Sequence, residues 1–191
     1  MKRIIFIVVS IILLISCNDV LHDEEFTLIR KPFEGNQIRT NGYYYTYENK
    51  EGLVGAEITS VLLFYKNGVA ANFGYSDSLE KMEAEFRVSE FYMKDNPFVW
   101  GVFRIEGDSI KIERSKSFGT PKAYMYTLVG VVQNDSTILI TKDISSTGNG
   151  GKTIIMNQTY HFKQFSPKPD STNVFINLVS PARRTGCVLI R

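Results

Sequence analysis

Few residues in this sequence stand in a pattern that could do chemistry, and spacing decides each case. Gly148-Asn149-Gly150-Gly151-Lys152-Thr153 invites a phosphate-loop reading. Such a loop needs Gly or Ala at position 146 and must run from a strand into a helix. Ser146 stands there, and the stretch lies between two strand-like runs, so it reads as a hairpin loop. His161 alternates with Tyr160 and Phe162 beside Lys163, which places it on a solvent face. No neighbouring nucleophile or orienting carboxylate would let it act as a general base. No Gly-x-Ser-x-Gly elbow occurs. Glu80, Glu83, Glu85 and Glu90 have basic neighbours and read as a solvated helix face rather than a glycosidase pair. No Cys/His cluster has metal-ligand spacing. These residues predict a non-enzymatic protein without metal or cofactor. A hydrolase would need a catalytic pair assembled from distant strands.

One side chain sits among neighbours that do specify a reaction. Met1-Lys2-Arg3 is a short cationic start, Ile4 to Ile15 is apolar apart from Ser10, and Leu14-Ile15-Ser16-Cys17 closes the run. This is the layout of an export signal, 1–16, and it is shorter than the ~20 apolar residues a membrane span requires. Leu-Ile-Ser-Cys resembles a bacterial lipobox, in which cleavage before Cys17 is followed by acylation of the thiol and the new amine. Each buried CH₂ contributes roughly 0.8 kcal/mol, and two or more chains hold a protein stably on a bilayer. Cys17 is therefore the predicted lipid-attachment site, palmitate-type chains the predicted modification, and the membrane the predicted partner. Asn18 follows, so the aspartate that retains some lipoproteins in the inner membrane is absent. That predicts the outer membrane, on its periplasmic or outer side. With Cys17 acylated, Cys187 has no partner for an intramolecular disulfide.

Removing residues 1–16 changes the electrostatic picture. The 191-residue chain has 22 basic and 20 acidic residues. The signal carries Lys2, Arg3 and no acid, so the remaining 175 residues are balanced at 20 and 20. A neutral chain without a basic block argues against nucleic acid as a partner. Its length fits one domain with tails.

The elements that would position a site are strands. Residues 17–40 read as a lipidated tether, 41–165 as the barrel domain, and 166–191 as a linker and basic tail. Runs rich in Val, Ile, Tyr, Phe and Thr occupy Tyr43–Glu48, Glu57–Lys66, Val69–Tyr75, Trp100–Glu106, Ser109–Ser115, Lys122–Gln133, Ser136–Asp143 and Thr153–Phe165. Asn67-Gly68, Gly107-Asp108 and Asn134-Asp135 read as two-residue turns between successive strands. Asp77 to Asn96 reads as a helix, with Leu79, Met82, Phe86 and Met93 on one face. It would serve as a lid over the barrel mouth or as a packed plug at one end. The expected fold is all-β: an eight-stranded antiparallel up-and-down barrel with one helix after the third strand.

Cross-strand partners share a face. Two-residue turns would pair Phe64 with Ala71 and Leu62 with Phe73. They would also pair Ile105 with Ile110, Phe103 with Ile112, Val131 with Ile138 and Val129 with Ile140. The predicted ligand-lining set is therefore Phe64, Phe73, Phe103, Met125, Tyr160 and Phe162.

Residues 41–165 resemble lipocalin-like lipoproteins of anaerobic Gram-negative gut bacteria. The resemblance rests on Gly42-Tyr43-Tyr44 in the first strand, Phe64-Tyr65-Lys66-Asn67-Gly68 and Trp100-Gly101. Lipocalins proper carry Gly-x-Trp in the first strand, where this chain has Gly42-Tyr43-Tyr44. The resemblance implies a small barrel whose family function is mostly unassigned. Eight strands enclose room for one small ligand, so the expected role is binding a small apolar ligand or glycan fragment. A protein-interaction module with a filled barrel is the alternative. The same bacteria O-glycosylate Asp-Ser/Thr followed by an apolar residue or Thr. That pattern makes Ser78, Ser109, Ser136 and Ser171 candidate O-glycosylation sites.

Overall fold

Turn chemistry sets the register of the whole molecule. The computed structural model describes residues 26–48, 58–76, 78–88, 97–116, 124–146 and 150–172. Cys17, Cys187, Asp77, Glu90, Phe91, Met93 and Lys94 lie outside the described residues. The strands are β1 (Gly42–Glu48), β2 (Ile58–Phe64), β3 (Val69–Ser76), β4 (Trp100–Glu106), β5 (Ser109–Lys116), β6 (Tyr124–Asn134), β7 (Thr137–Ser145) and β8 (Thr153–Gln164). Helix α1 (Leu79–Val88) follows β3, and a 3₁₀ turn at Pro97–Val99 leads into β4. Each strand pairs antiparallel with the next, and β8 returns to β1, so the sheet closes as an up-and-down barrel. This is consistent with a lipocalin-like fold.

Gly107-Asp108 is the expected two-residue turn. Glu106 lies opposite Ser109, and Gly107 has φ +58, the left-handed region glycine tolerates. Phe103 therefore faces Ile112, and Ile105 faces Ile110, as the sequence predicts.

Asn67-Gly68 behaves differently. The Tyr65 N–H donates to the Val69 carbonyl (2.9 Å), and the Gly68 N–H donates to the Tyr65 carbonyl (3.0 Å). Lys66-Asn67-Gly68 is thus a three-residue loop with Gly68 in the left-handed region. The extra loop residue slides the register by one, and such a slip sends every side chain to the other face. Phe64 faces Ala70, Leu62 faces Asn72, and Phe73 pairs with Val61 on the outer wall. The third hairpin departs too. Bulges at Val129/Gly130 and Val132/Asn134 pair Val132 with Ile138 and Gly130 with Ile140. Val131 is instead 43% exposed.

Two apolar cores result. The lumen core contains Tyr44, Leu62, Phe64, Phe103, Ile110, Ile112, Leu128, Val132, Ile138, Ile140 and Tyr160. The second lies on the outer wall of β1–β4 and contains Tyr43, Val61, Leu63, Val69, Ala71, Trp100 and Phe165, with Met82 and Phe86 of α1. Helix α1 therefore neither covers the mouth nor plugs an end. It packs against the barrel's side, with Phe86 rings 4.8 Å from Phe73 and 5.6 Å from Phe165. A polar clasp holds it there. The buried Tyr43 hydroxyl donates to Glu83 Oε1 (2.6 Å), and Lys163 Nζ reaches the same oxygen (2.8 Å). Burial alone would raise the Glu83 carboxyl. The hydrogen bonds from Lys163 and Tyr43 outweigh that and hold it below the usual range.

Segments read as free linkers are part of the domain. Glu113, buried on the outer wall, accepts from Thr27 Oγ1 (2.8 Å) and the Leu28 N–H (2.7 Å). Further on, the Phe33 N–H donates to the Lys66 carbonyl, and the Arg39 N–H donates to the Asp135 carbonyl. Ile38 is buried in the lumen core, and Phe33 packs against it. This strap closes the end of the barrel where the short turns lie. After β8 the chain doubles back over the same end. Lys168 Nζ donates to the carbonyls of Thr40 (2.8 Å) and Phe64 (2.6 Å) and lies 4.0 Å from the Tyr65 ring centre. The folded domain thus includes residues 26–40 and 166–172, because both segments bury groups against it.

Candidate functional site

Beyond the aromatic floor, the inward face changes character. On β5 the inward positions Ile110 and Ile112 are followed two residues on by Arg114 and then Lys116. Asn72 on β3 lies opposite Leu62, and Asp143 on β7 lies opposite Leu128; both partners belong to the lumen core. Alternation therefore carries these polar side chains into the lumen, toward the end bearing the longer connections.

They meet there. Arg114 Nη1 donates to Asn72 Oδ1 at 2.7 Å, and Nη2 donates to Asp143 Oδ2 at 3.3 Å. Lys116 Nζ lies 3.7 Å from the same Asp143 oxygen and 4.7 Å from the centre of the Tyr126 ring. The Arg114 and Asp143 side chains are only 12% and 13% exposed. Ser60 Oγ and the Tyr160 hydroxyl, 3.3 Å apart, add a polar wall. Arg114 Nε and Asp143 Oδ1 are buried and have no hydrogen-bond partner among the described residues. A buried polar atom left unpaired costs roughly 1–3 kcal/mol. Native proteins seldom carry that cost without a use for it.

The residues singled out from sequence divide cleanly. Phe64, Phe103, Tyr160 and Phe162 line the lumen. Phe64 stacks edge-on to Phe103 (4.9 Å) and Tyr44 (5.5 Å), Tyr44 meets Phe162 (5.3 Å), and Phe33 of the strap meets Phe103 (5.6 Å). They form a packed floor. Phe73 is outside, beneath α1, because of the three-residue loop. Met125 is opposite Ser115 and three residues before the inward Leu128, so it is on the outer face of β6. Ser109 is exposed at the start of β5. Ser78 Oγ accepts from the Lys81 N–H (3.3 Å), capping α1. Ser136 Oγ donates to Asp135 Oδ1 (2.6 Å), and Ser171 Oγ accepts from Asn67 Nδ2 (3.0 Å). His161 is exposed. Among the described residues, no group of three or more His, Cys, Asp or Glu is placed to hold a metal.

Sequence reasoning missed Arg114, Asn72 and Asp143. A signal for Arg114 was available: continuing the Ile110–Ile112 alternation by one step places it inside. Asn72 and Asp143 were hidden by the loop and the bulges that shift their strands.

No protein-family model matches the chain, and neither a curated protein nor a solved structure is significantly similar to it.

Proposed function

We propose that this chain is a non-enzymatic lipoprotein, anchored to the outer membrane through Cys17, that takes a small ligand into the polar half of its barrel. The observation that carries the binding reading is the buried Arg114–Asp143 pair with an unpaired donor on one member and an unpaired acceptor on the other. Concave sites typically combine apolar walls with a few convergent polar groups. The aromatic floor supplies the wall, and the Arg114 cluster supplies the polar groups. The export signal and lipobox-like Leu14–Cys17 support the anchor.

Native mass spectrometry of the mature protein from its host tests the binding reading. A small molecule should co-purify and be lost from Arg114→Gln. A bare protein mass in both would count against it. Cys17→Ala should release the protein from membranes, and retention without a lipid adduct would defeat the anchor.

A protein-interaction module is the second reading. The packed aromatic floor favours it, since Phe64 and Phe103 are 1% and 2% exposed and already filled by neighbours. That reading predicts no small molecule in the lumen.

A further inference from the structure

Arg114 Nε and Asp143 Oδ1, buried without partners among the described residues, differ in kind. Arg114 Nε–H donates, and Asp143 Oδ1, a carboxylate oxygen, accepts. Their side chains already touch through Nη2 and Oδ2 at 3.3 Å, so both atoms belong to one small polar region. A carboxylate ligand would answer Arg114, and Lys116 beside it, but would set an acceptor of like charge against Asp143 Oδ1 and leave that oxygen unpaired. An ammonium ligand would do the reverse. An apolar ligand would leave both atoms buried and unpaired. A hydroxyl accepts and donates at once, so it answers both.

From this we infer that the ligand is a sugar or another polyol whose hydroxyls are clasped between Arg114 and Asp143. The inference rests on the binding reading above and narrows it to one chemical class. The guanidinium is set in place beforehand, because Nη1 is held by Asn72 at 2.7 Å. Pre-organisation of this kind lowers the entropy lost on binding. Hydrogen bonds to charged groups are also the stronger ones.

The test uses the full mature chain carrying Cys17→Ala, so that no detergent is present. Glucose, galactose, N-acetylglucosamine and glucuronic acid serve as sugar probes, with butyrate and butylamine as singly functional controls. Saturation-transfer NMR should show binding of at least one sugar. Arg114→Gln and Asp143→Asn should each weaken it at least tenfold, with Arg114→Lys failing to restore it. The Arg114 Nε–H resonance in the unsubstituted chain should shift and gain protection from exchange when sugar is added, a readout that needs no variant to fold. Sugar binding indifferent to both substitutions would overturn the inference. So would binding of butyrate alone, tightened by Asp143→Asn, although the small-ligand reading would survive. If no probe binds and Arg114 Nε–H is met only by ordered water, the inference and that reading fall together.

Discussion

The two ends of this barrel are built on opposite principles. At the short-turn end the lumen is aromatic, and two chain segments are strapped across it. Phe33 and Ile38 close it from the N-terminal side. Lys168 holds the returning C-terminal segment to the carbonyls of Thr40 and Phe64. Tyr44 belongs to both the floor and the strap: its hydroxyl donates to the Asp135 carbonyl and accepts from the Arg39 N–H. Burial pushes that hydroxyl up to about 12. At the other end the same inward face carries Arg114, Lys116, Asp143 and Asn72, and Arg114 Nε and Asp143 Oδ1 have no partner among the described residues. Stability is concentrated where the aromatic core is packed and strapped, even though Gln37 Oε1 in the strap is buried without a partner among the described residues. Under the proposed function, the polar end is the one that recognises a ligand.

The sharpest way to break this contrast is to shorten one residue at each end. Phe103→Ala removes a ring packed against Phe64 and Phe33 in a fully enclosed site. It should cost about 3–5 kcal/mol in urea unfolding. Asp143→Asn at the polar end should cost less, about 1–3 kcal/mol, because the isosteric amide keeps an acceptor for Arg114 Nη2 and loses only the charge. Equal losses at both ends would show that the polar cluster is structural rather than reserved for a ligand.

This contrast was only half legible in the sequence. Alternation and turn residues identified eight strands, their antiparallel order and the helix after the third. The Gly107-Asp108 hairpin placed Phe103, Ile105, Ile110 and Ile112 inside correctly, because a two-residue turn leaves no freedom in register. Asn67-Gly68 misled, because the same dipeptide also ends a three-residue loop whose glycine is left-handed. That one residue moved Phe73 from the lumen to the outer wall. Bulges in β6 did the same to Val129 and Val131. The docking of residues 26–40 was hidden for another reason. A strap needs only scattered contacts, such as Ile38 and Thr27, and shows no periodicity.

The outer wall offers a second, smaller test. Helix α1 is ten residues long and is held by Met82, Phe86 and the Tyr43–Glu83–Lys163 clasp. Phe86→Ala should cost about 2–3 kcal/mol, less than the lumen floor, because α1 can release locally without opening the barrel. Hydrogen exchange should then show faster exchange in Leu79–Val88 while β5–β7 stay protected. Loss of protection throughout the barrel would mean that the two cores are one cooperative unit.

The smallest effect separates the straps from the cores by pH. Lys168 is half-buried, and desolvation pulls its ammonium down from the ordinary lysine value to about 8. In the unfolded chain the group holds its proton to about 10.4. Below pH 8 both states are protonated, so the whole cost of burying the charge is present. Between pH 8 and 10 the folded state sheds the proton first. The unfolded state then binds more protons, and stability rises with pH. Above pH 10 the trend reverses: burial raises the hydroxyls of Tyr43, Tyr44 and Tyr65, so the unfolded chain ionises first. Urea unfolding at pH 7.5 and 9.5 should therefore show a gain of about 1–2 kcal/mol at the higher pH. Lys168→Met should remove that gain while leaving the high-pH fall intact. A gain that persists in Lys168→Met would place the titrating group elsewhere. An unchanged stability in the original chain would mean that the two carbonyls and the Tyr65 ring hold the ammonium charged despite its burial, making the strap as well satisfied as the floor it closes.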